Sequence, residues 1–454
     1  IEKFPTRYHV FEQTEYKKWV FTLMFGRREC LDLRSLDQQQ IHDVKSTHQP
    51  YIRATGFGHA TRVVQIASDI LSLSRKHTVY IISNAPRFIF QGAIDKGACY
   101  RHALIDSGVQ QPRAYTVDRQ RTIDDLITFI KNRPEMIEKE ANWLKEVKAD
   151  IVLSDAPFLP CAAASTAGIP SAIVSNFTFD AVYNGLCEGD ELDITIKKLV
   201  EQVIEDYKNS GLLIRLPVID VPLVVRKSKT PRDIVLKNLG IPEEIFTTHK
   251  VLMVSFGGQN LVDIEKWGNP LPDNWIAIVC GGSCDKLPEN FYNCPKDAYI
   301  PDLTNAADAV MECIGHSKPF IYVPRPQFIE ELGLLKLMQF QGISLEMSRE
   351  RFENGEWRSH ILEAYNMSKN TKKRHKPKIE KLKHNGGKVA AEILEKYLDE
   401  KYNDDKSNSN SNSVSVFASL KELRNKKRKS TSLTSTKNTN NDDNNKNIII
   451  MSVS

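Results

Sequence analysis

Long apolar runs are missing from this chain of 454 residues. None approaches the roughly 20 residues of a membrane-spanning helix. The chain begins at Ile1, and residues 1–20 hold no apolar signal-peptide core. No membrane span is therefore expected. Cysteine pairing is missing too. The eight cysteines are scattered, none forms a C-x-x-C pair, and Cys280 and Cys284 are followed by no second Cys or His pair at zinc spacing. That argues against a zinc ribbon or a disulfide framework and for structural thiols in a reducing, cytoplasmic setting. Several reaction signatures are absent as well. There is no D-x-D pair, no H-E-x-x-H, no complete G-x-x-x-x-G-K-S/T phosphate loop and no G-x-S-x-G elbow. Gly386-Gly387-Lys388 is followed by Val389 and ends no phosphate loop. Metal-dependent and serine-hydrolase chemistry lose ground, and no metal site is expected.

What is present reads as an ordinary soluble protein, with 41% hydrophobic and 26% charged residues. The net charge is +5, but much of the basic excess lies in polar runs near the C-terminus. Residues 403–454 are rich in Asn, Ser and Lys and lack the apolar content to offset ordering entropy, so a disordered tail is expected there. The run Lys426-Lys427-Arg428-Lys429 inside it reads as a solvated basic stretch rather than a nuclear address, and no nucleic-acid partner is expected.

Between these ends the pattern is α/β. Residues 1–50 show no clear period and stay unassigned. Val63 to Leu73 is apolar at helical spacing; His77–Ser83, Asp150–Asp155, Ser171–Ser175 and Leu212–Leu216 read as short buried strands. Thr122–Lys148 reads as one long helix or two shorter ones, with Pro134 breaking it, and Pro160–Ala167 as a small-residue helix. A proline-spaced connector follows, from Leu216-Pro217 to Pro231. A second α/β pattern then begins, with strands at Val251–Phe256, Trp275–Cys280, Ala298–Ile300 and Pro319–Val323 and a closing helix at Gly386–Leu398. Strands alternating with helices predict two doubly wound, Rossmann-like parallel sheets, 51–222 and 223–402, facing each other across a cleft.

Thr55-Gly56-Phe57-Gly58-His59-Ala60-Thr61-Arg62 is the most informative stretch. Gly56 and Gly58 remove Cβ atoms from a strand-to-helix turn, and the helix start behind them favours an anion or polar ligand. A dinucleotide fingerprint would need glycine where Thr61 stands and an acid near Ser83-Asn84, so NAD is not expected. His59 reads as a proton-transfer group or ligand hydrogen-bonder; the competing reading is a helix-start histidine with a backbone partner. Ser154-Asp155 and Ser175-Asn176-Phe177 fall at strand ends facing the crevice, with Asp155 alternatively capping the next helix. Gly257-Gly258-Gln259 and Gly281-Gly282 follow the first two strands of the second unit and could let a nucleotide approach the backbone. Glu312, Glu330 and Glu331 bracket the P-F-I-Y-V strand, either over sugar hydroxyls or as a solvated acidic surface.

The blocks T-G-F-G-H-A-T-R, S-N-A-P-R-F-I-F, T-V-D-R, A-D-I-V-L-S-D-A-P, S-N-F-T-F-D, I-D-V-P-L-V-V-R, S-F-G-G-Q, P-x-N-F and K-D-A-Y-I-P-D resemble the glycosyltransferase-like region of plant L-arabinokinases and its stand-alone microbial and fungal relatives. The likeness runs from about 51 to 395. It implies a GT-B fold, no essential metal or cofactor, and a nucleotide sugar as substrate, held mainly by the second unit around Gly257, Gly258, Gln259, Gly281, Gly282 and Glu312, with Glu330 and Glu331 near the sugar. Gly56, Gly58, Arg62, Asp155 and Asn176 would line the acceptor side, and His59 would take the acceptor proton or touch phosphate. The glycine- and serine-rich phosphate loop of the kinase part does not occur, so sugar kinase activity is not expected.

Two departures bear on function. The family reads S-G-H-G-F-G-H where this chain has Ala54-Thr55-Gly56 ahead of Phe57, so an earlier His is missing, and the strand expected before the loop is poor at Pro50–Arg53. After Val310 a glycine-rich segment of the family is absent, and Met311 leads directly to Glu312. One backbone donor at a leaving diphosphate is worth roughly 3 kcal/mol. The expected function is hexosyl transfer from a nucleotide sugar to an unknown acceptor, impaired by that loss; the alternative is a nucleotide- or sugar-binding module without turnover.

Overall fold

A computed structural model describes residues 20–22, 57–73, 77–113, 115–217, 219–226, 229–255, 264–280, 287–294, 302–303, 307, 309–311, 318–325, 327, 331, 335, 344–374 and 383–408. The first unit is built on strands β1 (Val20–Thr22), β2 (Tyr80–Ser83), β3 (Cys99–His102), β4 (Val152–Ser154), β5 (Ser171–Ser175) and β6 (Leu212–Arg215). β1, β4, β5 and β6 form one parallel sheet in that order; β2 pairs with β3 in parallel, and β2 lies beside β1. The spatial order is therefore β3-β2-β1-β4-β5-β6, which reverses direction between β1 and β4.

Its longer helices are α1 (Phe57–Leu73), α2 (Arg119–Glu146), α3 (Leu159–Ala167) and α4 (Leu192–Tyr207). α1 buries Ala60, Val63, Val64, Ile66, Ala67 and Ile70, the three- and four-residue spacing of a helix laid on a sheet. α2, α3 and α4 close the other face through a core that includes Leu126, Phe129, Phe158, Ile196 and Val203. The sheet is covered on both sides, as a parallel sheet requires.

The second unit holds β7 (Lys250–Ser255), β8 (Trp275–Cys280), β9 (Phe291–Asn293), β10 (Ala309–Met311), β11 (Phe320–Tyr322) and β12 (Ser344–Glu346), all parallel, in the order β12-β11-β10-β7-β8-β9. Direction reverses between β7 and β10, so both units share one strand order. Helices α5 (Arg358–Arg374) and α6 (Gly386–Asn408) end the described chain. Trp267, Phe352, Trp357 and Ile361 build one core of this unit.

Several sequence expectations change here. The strand expected just before the glycine loop, at Pro50–Arg53, lies outside the described residues. β1 comes from the segment that carried no period and lies at the centre of the first sheet. α2 runs unbroken through Pro134. An interior proline costs about 3 kcal/mol; α2 offsets this by burying Ile123, Leu126 and Phe129 before it and Ile137, Ala141 and Leu144 after it. The strand expected at Ala298–Ile300 lies outside the described residues, while β3, β9, β10 and β12 were not anticipated. α6 reaches Asn408, past the expected tail boundary at 403; residues 409–454 lie outside the described residues. By sequence α6 closes the 223–402 segment, yet Ala390, Ala391, Leu394 and Leu398 belong to the core of the first unit. Gly386 makes this return possible: a Cβ there would meet the Pro222 carbonyl oxygen at 1.9 Å.

The two units also touch near residue 115. Tyr115 belongs to the second unit's core. Its Oη donates to Glu353 Oε1 over 2.8 Å, Arg113 donates to the same oxygen over 3.1 Å, and the Val117 N–H donates to Gln327 Oε1 over 3.0 Å.

Candidate functional site

Where strand order reverses, the loops beyond the strand C-termini diverge and leave a crevice in which open α/β sheets bind ligands. In the first unit that point lies between β1 and β4. Asp155 is the residue directly after β4, and Asn176 directly follows β5. His59 and Arg62 stand one turn apart at the start of α1, so both reach the same place.

Asp155 is the hub. His59 Nδ1 lies 3.1 Å from its Oδ1. Arg62 Nε donates to Oδ2 over 3.0 Å, and a terminal Arg62 nitrogen donates to Oδ1. The other terminal nitrogen donates to Asn176 Oδ1 over 2.9 Å. Ser175 Oγ donates to Asp155 Oδ1 over 3.1 Å. Phe177 meets the imidazole edge-on, with ring centroids 4.9 Å apart. The Asp155 side chain is 7% exposed and the His59 side chain 21%, so the carboxylate is the buried partner and the imidazole the accessible one.

Burial pushes the Asp155 carboxyl up; the Arg62 guanidinium, then His59, outweigh it and hold the group at about 2. Asp155 is therefore an anion at neutral pH. The Arg62 nitrogen that serves Oδ1 also lies 2.9 Å from His59 Nδ1. A guanidinium only donates, so the imidazole proton decides the pattern. A charge-assisted bond to the carboxylate is the stronger option and favours Nδ1–H, which leaves the Nε2 lone pair for a ligand.

The structure thus brings together His59, Arg62, Asp155 and Asn176. Asp155 does not cap the following helix, whose N-cap position is Phe158. Gly58 sits in the first turn of α1 with open space where a Cβ would point. Glu331 is not in this cluster. It is buried in the second unit, where Oε2 accepts the Arg325 backbone N–H over 2.7 Å. Gly56, Gly257, Gly258, Gln259, Gly281, Gly282, Glu312 and Glu330 lie outside the described residues. Two members of the cluster were named in sequence only as neighbours of Asn176: Ser175 as a carboxylate donor and Phe177 as a wall for His59. Their place in the same strand-end tripeptide was the available signal.

The glycine-rich segment that the resemblance implies would fall in the connection 312–319 between β10 and β11, which are parallel neighbours. A parallel crossover with its helix takes on the order of a dozen residues, more than this connection contains. Among the described residues, no group of three or more His, Cys, Asp or Glu side chains gathers as a metal site, and no helix is long and apolar enough to cross a membrane. A cavity of about 430 Å³ lies at the opposite end of the first sheet, lined by Asp150, Ser171, Gly211, Tyr397 and Lys401 among others, and shares no residue with the His59 cluster.

No family model matches the chain. L-arabinokinase from Arabidopsis thaliana is 35% identical to it over 371 residues, 76% of this chain and 34% of that protein. The chain thus spans about a third of the length of the curated relative it matches. Among solved structures, the calicheamicin glycosyltransferase CalG4 is 15% identical with a TM-score of 0.48, covering 74% of this chain and 94% of its own. UGT73P12 from Glycyrrhiza uralensis, complexed with glycyrrhetinic acid 3-O-monoglucuronide, is 16% identical with a TM-score of 0.42, covering 85% of this chain and 98% of its own. Both superpositions are loose, and the fold stands on the strand orders above. The chain is thus similar to L-arabinokinase over 76% of its length, and its two parallel sheets of one strand order have the two-sheet architecture of a GT-B fold.

Proposed function

We propose that the chain transfers a hexosyl group from a nucleotide sugar to a hydroxyl-bearing acceptor, with His59 as the base. The observation that carries this reading is the contact of His59 Nδ1 with the ionised Asp155 at the strand-order reversal of the first sheet. In the proposed step, His59 Nε2 takes the acceptor O–H proton as that oxygen bonds to the anomeric carbon. The bond from that carbon to the diphosphate breaks, and the nucleoside diphosphate leaves with the electron pair. Asp155 holds the ring tautomer and stabilises the imidazolium that forms. Arg62 and Asn176 fix the carboxylate in turn.

The donor side of the proposal rests on the family resemblance, with Gly257, Gly258, Gln259, Gly281, Gly282 and Glu312 at the nucleotide and Glu330 and Glu331 at the sugar. Gly56 and Gly58 lie on the acceptor side. The setting proposed is cytoplasmic, on the ground of the scattered cysteines and their spacing in the sequence. The test pairs calorimetry with UDP- and GDP-sugars with an assay of nucleoside diphosphate release over a panel of acceptors, on the parent chain and His59→Ala. The expected result is sugar-nucleotide binding by both proteins and release by the parent alone. Binding without release by the parent would replace the transferase reading with a binding module, and no binding of any nucleotide sugar would remove both.

A further inference from the structure

Cys280 ends β8, and Cys294 directly follows β9. These parallel strands pair Ala277 with Phe291, Ile278 with Tyr292 and Val279 with Asn293. The next step in the same register sets Cys280 opposite Cys294. The ladder continues to that point, because the Cys294 N–H donates to the Val279 carbonyl over 2.8 Å.

Side chains alternate along a strand, so Ile276, Ile278 and Cys280 share a face with Tyr292 and Cys294. The packing agrees. Cys280 lies against Met253 and Ala307, Cys294 lies against the Ile276–Ile278 core, and Leu303 borders both. The two thiols are hydrogen-bonded to each other, and that bond draws the Cys294 thiol below the usual cysteine range against the opposing effect of burial. Neighbouring strands run about 4.7–4.9 Å apart, inside the roughly 4.4–6.8 Å Cα separation that a disulfide bridges. Other described cysteines differ. Cys161 is fully buried, and burial pushes its thiol up to about 12; burial also raises the Cys187 thiol.

We propose that Cys280 and Cys294 form a reversible dithiol–disulfide site at the crevice end of the second sheet. The Cys294 thiolate attacks a small-molecule disulfide such as oxidised glutathione and releases one thiol. The Cys280 thiolate then attacks the Cys294 sulfur of that mixed disulfide and releases the second. The protein dithiol is oxidised by two electrons, the small disulfide is reduced to two thiols, and the two cysteine protons pass to these products.

The full chain is incubated with oxidised glutathione, alkylated under denaturing conditions and mapped by peptide mass spectrometry, with Cys294→Ser as control. The expected product joins the Cys280 and Cys294 peptides with loss of two hydrogens, is undone by dithiothreitol, and is absent from the variant. Bonds from either residue to Cys284, or separate glutathione adducts on both without a cross-link, overturn the site.

Discussion

Asp155 and Asp302 look alike as charges and differ in what surrounds them. Both side chains are buried and both carboxyls are held at about 2. At Asp302 burial raises the carboxyl, but the backbone N–H groups of Thr230 and Lys229 overcome it, with the Thr230 hydroxyl and Arg226 adding to them. The N–H groups of Lys229 and Thr230 each donate to Oδ2 over 2.7 Å, and the Thr230 hydroxyl donates over 2.8 Å. These partners all come from the connector between the units, so the charge of Asp302 is spent on fastening that connector to the second unit. Asp155 is held instead by side chains from α1 and β5, and one of them is an accessible imidazole with a second nitrogen. A depressed carboxyl therefore marks an anchored charge; a site needs a partner with a reactive atom left over.

The largest expected effect follows from that difference. His59→Ala should lower the rate of nucleoside diphosphate release by about 10²–10⁴-fold, the usual worth of a general base, with the thermal unfolding midpoint little changed because the ring is partly exposed. Asp302→Ala should do the reverse. It strands two backbone donors and removes the partner of Arg226, so a loss of about 3 kcal/mol in urea unfolding is expected, with the residual folded protein keeping its rate constant. A strong rate loss in Asp302→Ala, measured on the folded fraction, would erase the contrast between the two carboxylates.

The parts of this contrast visible in sequence were those set by local chemistry. β5 and β8 match their expected bounds because Ser171–Ser175 and Trp275–Cys280 are continuous apolar runs bounded by turn residues. β3 was missed because Cys-Tyr-Arg-His is polar and only half buried, without alternation. β1 was missed because residues 23–56 separate it from α1, so no glycine turn marks its end. The return of α6 to the first unit is a tertiary choice, settled by Gly386 fitting under the Pro222 carbonyl. At the site, the residue types at the helix start and the strand ends pointed to His59, Arg62, Asp155 and Asn176. Their convergence on one carboxylate depends on strand order, which no local pattern encodes.

A smaller effect should appear in acid. A carboxyl depressed in the folded state binds fewer protons than the unfolded chain just above its folded pKa. Its contribution is complete above about pH 4 and is lost as pH falls through about 2. A shift of this size corresponds to about 2 kcal/mol for each group. Urea unfolding between pH 5 and pH 2 should show the slope, and Asp155→Asn should remove the share belonging to Asp155 while leaving that of Asp302. An unchanged slope in Asp155→Asn would mean that Arg62 and His59 do not hold the charge as the geometry requires.

The smallest expected effect tests a third carboxylate, Glu353, which resembles Asp302 in having its partners committed to structure. Arg349 Nε donates to Glu353 Oε1 over 3.0 Å beside Tyr115 and Arg113, and the Arg349 guanidinium lies 4.7 Å from the centre of the Tyr115 ring. Tyr115→Phe keeps the ring, its packing on Phe352 and its contact with Arg349. It removes one hydrogen bond and leaves Glu353 with two arginine partners, so no buried group is orphaned. The expected loss is about 1 kcal/mol in urea unfolding. A double-mutant cycle with Glu353→Gln should return a coupling of similar size, since the hydroxyl's bond is made to that carboxylate. The rate of nucleoside diphosphate release should stay within about twofold if residues 113–117 only join the units. A larger rate loss at equal stability would show that this joint acts on the His59 site, and Glu353 would then belong with Asp155 rather than with Asp302.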